Sequence, residues 1–434
     1  MLRQSILLRM ALVAVLGLFM LIPIVMVQGL VHERHNRRDE AVKEISEKWG
    51  QAQTLTGPVL TVPVRSTIRG EKGIKTFRTD YLHCLPGRLD VRAELIPEIR
   101  HRGIYRAVLY SARLNCKASL DYGELDAYEN SDREVLWNEA FLTIGISDLK
   151  GIRSISELKW DGADLTPQPG LRTKDLGPAG FTAFPKIDRR ARSSDFSMSA
   201  EINGSEEIQV VPVGKTTDLS VSSAWTAPSF IGAFLPVARN ITDRSFSATW
   251  RVLHLNRNYP QMWWNQEHSV ASSAFGIRLL LPVDEYQKNS RSIKYAALFI
   301  LLIFVAFLMT DILTGIALHP VQYALVSFAL VLFYALLLSL SEHVSFNTSY
   351  LLASLVVVTT ISLYTKAITG RVAVSALIGG LLSIQYAFLF LLMQLEDWAL
   401  LLGSVGLFVI LALIMYLTRR IDWFNAGRRT EGGL

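Results

Sequence analysis

Apolar residues run almost without interruption from Met10 to Val27, and the next comparable run opens only at Tyr295. Four more follow in quick succession to Leu417. A helix needs about 17–25 mainly apolar residues to cross roughly 30 Å of hydrocarbon. Six stretches meet that length: 8–29, 294–313, 321–340, 349–365, 373–394 and 398–417. The fourth is diluted by Thr359, Thr360, Ser362 and Thr365, whose hydroxyls can bond to their own helix inside a bundle. Arg3 and Arg9 ahead of the first run would suit a signal peptide. Its core is long, however, and Val25–Gly29 holds no small-x-small cleavage pattern, so the run is read as a retained anchor.

Between the first run and the second the period changes twice. Val42, Ile45 and Trp49 fall on one helical face, with Glu44 four residues before Lys48, and Gly50 marks the stop. Beyond it the alternation is two-fold. Leu60-Val62-Val64, Val91-Ala93-Leu95 and Ala112-Leu114-Cys116-Ala118-Leu120 each interleave with polar residues, and the pattern returns at Phe196–Ile202, Leu219–Trp225, Phe246–Val252 and Phe275–Leu281. Strands with one wet and one dry face predict antiparallel sheets packed face to face. A short helix is expected near Asp132–Asn138, and the Pro- and Gly-rich stretch Thr166–Ser194 reads as a long loop. Segments 50–160 and 195–285 form a plausible pair of halves.

The predicted architecture is thus a six-helix membrane bundle, one helix plus five, with a large inserted sandwich-like β domain. Its parts are a membrane helix (1–30), a juxtamembrane helix (31–50), the β domain (51–290), five membrane helices (291–418) and a tail (419–434). Half of the 434 residues are hydrophobic and 19% are charged, which fits a membrane protein. Charge then suggests a direction. With the N-terminus inside, Arg3, Arg9, Lys366, Arg371, Arg419, Arg420, Arg428 and Arg429 are cytoplasmic, while the turns at Glu342 and Glu396-Asp397 carry no Lys or Arg. The positive-inside rule therefore puts both termini in the cytoplasm and the β domain outside, in the periplasm of a bacterial inner membrane. The net charge of +6 follows from those arginines beside anionic lipid and requires no nucleic acid.

Candidate chemistry is sparse. No G-x-S-x-G elbow or phosphate-binding loop occurs, and no Cys/His spacing suggests a metal, so neither a reaction nor a cofactor is expected. His32-Glu33-Arg34-His35 is one residue short of the zinc-helix spacing and reads as a juxtamembrane polar patch. Cys84 and Cys116 both fall in the exported domain, where a disulfide and a pair of buried thiols fit equally well. Asp311, His319, Glu342 and His343 are polar groups in or beside the spans. They fit an ion path, but no acid lies at mid-bilayer depth, and edge caps and contacts are the plainer reading. Trp225, Pro228 and Phe230, with Trp263 and Trp264, are candidate contact residues of the exported domain, for a hydrophobic ligand or the bilayer.

Several motifs together resemble one family. They are Gly57-Pro58, Trp225–Phe230 with Leu235-Pro236, Pro282–Tyr286 leading to Arg291, Lys294 and Tyr295, Leu318–Tyr323, Ser341-Glu342-His343 with Phe346, and Arg420–Trp423. In this order the chain resembles the CreD family of inner-membrane proteins of cell-envelope integrity. The resemblance implies a large periplasmic domain and a role in envelope integrity within a two-component response to cell-wall stress. It implies no reaction and no catalytic residues. The expected function is therefore non-enzymatic, with the lipid bilayer and a periplasmic envelope protein or a cell-wall or lipid ligand as partners. A transporter or lipid-handling protein is the alternative, weakened by the lack of an inverted repeat.

Overall fold

The computed structural model describes residues 6–69, 75–281, 285–314, 319–395 and 398–419. Pro282-Val283-Asp284, the turn Glu396-Asp397, the tail beyond Arg419 and the side chain of Asp311 lie outside the described residues. The chain divides into two compact units, Arg38–Pro282 and, together, Met1–Arg37 with Val283–Leu434.

The first of these is built on two sheets. In the eight-stranded sheet the order is Ala238–Ile241, Phe246–Leu253, Thr216–Ser223, Arg88–Arg102, Tyr105–Asp121, Ser193–Ser205, Ile152–Trp160 and Ala163–Asp164. The ten-stranded sheet has the path Pro228–Gly232, Phe275–Leu279, Glu207–Val210, Gln53–Arg69, Phe141–Ile146, Gly180–Ala183 and Gln168–Pro169, with three further strands branching from Gln53–Arg69 and its partner Lys75–Cys84. The two-fold alternation is what buries one face. Along Tyr105–Asp121, Ala112, Leu114, Cys116, Ala118 and Leu120 are buried while the residues between them are exposed. They join Val62, Val91, Met198, Trp250 and Phe275 in one core cluster. Each large side chain so buried stabilises the fold by roughly 1.5–3 kcal/mol before entropy is counted.

Four expectations are corrected. The sheets are mixed, because Gln53–Leu55 pairs in parallel with Ile208–Val210, and Thr216–Ser223 with Arg88–Leu95. The supposed halves are likewise interleaved, since each sheet takes strands from both. Asp132–Asn138 is not a helix: Arg133–Val135 pairs with the Gln53–Arg69 strand, and a single 3₁₀ turn, Trp137–Glu139, follows. The Thr166–Ser194 stretch carries two short strands and supplies buried Leu176 and Phe181. Its Pro and Gly hide that role.

The helical unit comprises α1 (Ile6–Phe19), the start of α2 (Leu21–Trp49), α3 (Glu285–Lys294), α4 (Ala296–Thr314), α5 (Pro320–Ser341), α6 (Phe346–Thr369), α7 (Val372–Gln394) and α8 (Ala399–Thr418). Among the described residues four helices are long and apolar enough to cross a membrane, or five if α3 and α4, bent by 41°, form one span. Helix α2 ends at Gly50, whose φ of 146° suits only glycine and where a Cβ would come 2.6 Å from the Asn203 carbonyl oxygen. Ser345 caps α6, and Gly370, left-handed at φ 65°, ends it. At the bundle centre Phe333 packs edge-on against Tyr334 and Tyr350 and tilted on Tyr386, with centroids 4.5–5.4 Å away. Thr365 and Thr369 donate to carbonyls four residues back, so these two hydroxyls are satisfied within α6.

Candidate functional site

Of the four polar residues singled out in the membrane region, the three with described side chains, His319, Glu342 and His343, lie at the two ends of one helix. His319 caps α5, its Nδ1 accepting from Val321 N–H at 3.3 Å while its own N–H donates to Gln322 Oε1 at 2.8 Å. Glu342 and His343 stand at the other end of the same helix, about 33 Å away at 1.5 Å per residue. Glu342 meets Arg34 at 3.6 Å, and His343 is exposed. The buried polar contacts are elsewhere: Asn289 Nδ2 donates to Ser341 Oγ at 2.7 Å, Ser292 Oγ to the Asn289 carbonyl at 2.8 Å, and Gln385 Nε2 to the Phe299 carbonyl at 2.9 Å. Asn289 lies on the charged α3, where no apolar pattern drew attention to it.

In the β domain the candidate aromatic residues act as anchors. Trp225 Nε1 donates to the Leu280 carbonyl, Pro228 opens the Pro228–Gly232 strand, and Phe230 packs edge-on against Trp250 at 5.8 Å. Trp250 Nε1 donates to the Phe234 carbonyl, and Phe234 packs on Phe275. The chain thus passes from an edge strand of one sheet to the edge strand Ala238–Ile241 of the other while pinned on its inner side. What it presents outward is Leu235, 77% exposed, and Val237, 74% exposed. Val237 N–H donates to the Thr249 carbonyl, so this stretch runs toward the Leu253 end of the neighbouring strand, where Leu253 and Leu255 are also exposed. The Leu235-Pro236 pair in the sequence marked the place; the exposed residues are its apolar members and not the tryptophans. Trp263 is buried between His83, Tyr259 and His268, and Trp264 is half-buried against Tyr128.

The outer face of the eight-stranded sheet has a different character. Asp218 holds Arg251 at 2.6 Å and Arg88 at 3.5 Å, and Arg113 meets Glu94 and Glu201. Exposed pairs of this kind add little stability, but they keep the face wet.

Sequence reading missed a buried polar chain because its members are far apart in the sequence. Thr61 Oγ1 lies 2.9 Å from His83 Nδ1, and His83 Nε2 lies 3.1 Å from Asp175 Oδ2. The order imitates a nucleophile, base and acid. Thr61 and His83 are both wholly buried, however, and a hydroxyl no substrate can reach cannot attack one. Burial lowers the His83 pKa, with the bond to Asp175 opposing. The unfolded chain binds a proton on this ring near pH 6.5. As the pH falls through that value the unfolded state takes up more protons than the folded one, so domain stability falls and then levels off below the folded-state pKa. Thermal unfolding of the full chain between about pH 8 and pH 5 should show that loss, reduced in His83→Gln; an equal pH slope in the variant would discard the assignment.

Both cysteines are free and buried. Cys84 belongs to the ten-stranded sheet, its Sγ 3.2 Å from the Asp121 carbonyl, whereas Cys116 belongs to the eight-stranded sheet. Burial, with lesser help from nearby acids, pushes each thiol up to about 12, which makes both inert. The disulfide allowed by the sequence is not formed.

A family model described as "Inner membrane protein CreD" matches residues 5–424. The Inner membrane protein CreD of Escherichia coli (strain K12) is 31% identical over 412 residues, covering 94% of this chain and 91% of that protein. The chain belongs to the CreD family. Membership makes it a multi-pass protein of the inner membrane, and the apolar side chains left uncovered on its helices acquire a solvent. Leu351, Leu355 and Leu363 on α6 and Leu377 and Ile384 on α7 are exposed within the bundle. In a CreD protein they face acyl chains, and the helices pack through the aromatic and small polar groups between them.

Proposed function

We propose that this CreD-family protein supports cell-envelope integrity and the response to cell-wall stress without catalysing a reaction. Its β domain stands in the periplasm and both chain ends in the cytoplasm, as the Lys and Arg distribution supports. The domain acts by holding an envelope protein against its exposed apolar crossover. The observation that carries this reading is Leu235 and Val237, uncovered although the strands around them are pinned by Trp250 and Trp225. An apolar ridge on a fixed support is the form of a protein contact.

The experiment is complementation. In a strain lacking the chain, Leu235→Asp/Val237→Asp should reach normal levels in the membrane yet leave cells as sensitive to detergent and cell-wall antibiotics as the deletion. Full rescue by the double variant, or no phenotype on deletion under cell-wall stress, would refute the proposal. Reporter fusions at the chain ends and within the β domain test the orientation separately.

A further inference from the structure

We infer that α2 and α3 together form a binding site for a phosphate-bearing headgroup at the bilayer surface. Gln28, His32 and His35 on α2 face Gln287, Ser290 and Lys294 on α3 across a cavity of about 390 Å³. On each helix these residues recur at three- and four-residue steps, which places them on one face. Val31 and Ile293 line the same space and are buried in the apolar cluster of the bundle, so it has an apolar floor. The volume falls in the range of roughly 300–1,000 Å³ typical of small-molecule clefts.

The chemistry of the lining selects the ligand class. The described lining residues carry one ammonium, two imidazoles, two amides and a hydroxyl, all groups that can donate hydrogen bonds, and none of these described side chains is acidic. The carboxylate next to His32, Glu33, is held by Arg37 at 2.6 Å, and Glu342 is held by Arg34. A metal is a poor fit: among the described residues no three metal-ligating side chains gather, and Lys294 would repel a cation. An anion with several acceptor oxygens matches the set, as in a phosphate held by charge-assisted bonds.

Position points to the source. The apolar run of the first span ends at Val27, one residue before Gln28, and α4 begins at Ala296, two residues after Lys294. The cavity therefore lies where hydrocarbon gives way to headgroups, on the side from which the β domain departs. A phospholipid phosphate occupies that depth, and its glycerol would meet the apolar floor.

The test uses the full chain in neutral detergent with three probes: short-chain phosphatidylglycerol, short-chain phosphatidylcholine and inorganic phosphate. Binding is read by thermal shift and by lipid retention in native mass spectrometry. We expect saturable phosphatidylglycerol binding that weakens about tenfold or more in Lys294→Gln and in His32→Gln/His35→Gln, and is kept in Lys294→Arg. Weaker binding of phosphatidylcholine supports an anionic lipid. Equally tight binding of inorganic phosphate, lost in the same variants, assigns the site to the free anion. Binding that is absent, or unchanged in the Gln variants at unchanged unliganded stability, overturns the inference. The complementation result does not bear on it, so the two proposals fail separately.

Discussion

Trp250→Ala is expected to destabilise the β domain by about 3–5 kcal/mol, the range for removing a large buried aromatic side chain. Trp250 is 2% exposed and packs between Phe230 and Phe275, so its loss leaves a void bounded by strands of both sheets. It also removes the donor to the Phe234 carbonyl, which fixes the crossover carrying Leu235 and Val237. Limited proteolysis of the full chain in detergent should show new cleavage within residues 233–245 well below the temperature at which the wild type is cut. Trp250→Phe fills most of the space but lacks the N–H, and should cost only the packing difference plus about 0.5–1.5 kcal/mol. A Trp250→Ala chain as resistant as the wild type would contradict the packing described.

The second large effect is expected at Phe333→Ala, at the centre of the helical unit. Phe333 is wholly buried and touches Tyr334, Tyr350 and Tyr386. In lipid no hydrophobic force drives helices together, so most of the transfer contribution that operates in water is absent and the lost packing remains. We expect roughly half of the 3–5 kcal/mol seen for buried aromatics in soluble cores. Unfolding in mixed micelles of rising dodecyl sulfate fraction should begin earlier for the variant. Leu351→Ala, on a lipid-facing position, should leave the curve in place. Coincident curves for Phe333→Ala and the wild type would remove the aromatic cluster from the forces that hold the helices.

What was legible in the sequence was whatever a local period can encode. The two-fold alternation of Ala112–Leu120 reappears as buried and exposed residues of one strand, and the apolar runs as helices. Parallel pairing of Thr216–Ser223 with Arg88–Leu95 was not legible, because a register between distant segments leaves no mark on either. Helix α3 was missed for a different reason: its charged residues suppress the apolar signal, although it supplies Asn289 and half of the cavity. Among the site residues, the sequence indicated which segment of the β domain to examine. It could not show that Trp225 and Phe230 hold that segment from within while Leu235 looks out. His319 and Glu342 were separable in the sequence, since the apolar run 321–340 lies between them, and α5 spans that interval.

The interleaving of the two sheets also sets a schedule. The Gln53–Arg69 strand waits for Glu207–Val210, Arg88–Arg102 waits for Thr216–Ser223, and Glu207–Val210 in turn waits for Phe275–Leu279. At about 5–20 residues per second, synthesis from Gln53 to Leu279 takes on the order of 10–45 s. For that interval each of these early strands lacks one of its final neighbours, although the local pairings with Lys75–Cys84 and Tyr105–Asp121 and the apolar faces are already available. Nascent chains should therefore depend on holding factors until the last strand arrives, and a ribosome stalled before Phe275 should yield fragments that are degraded and not a half-sized folded product.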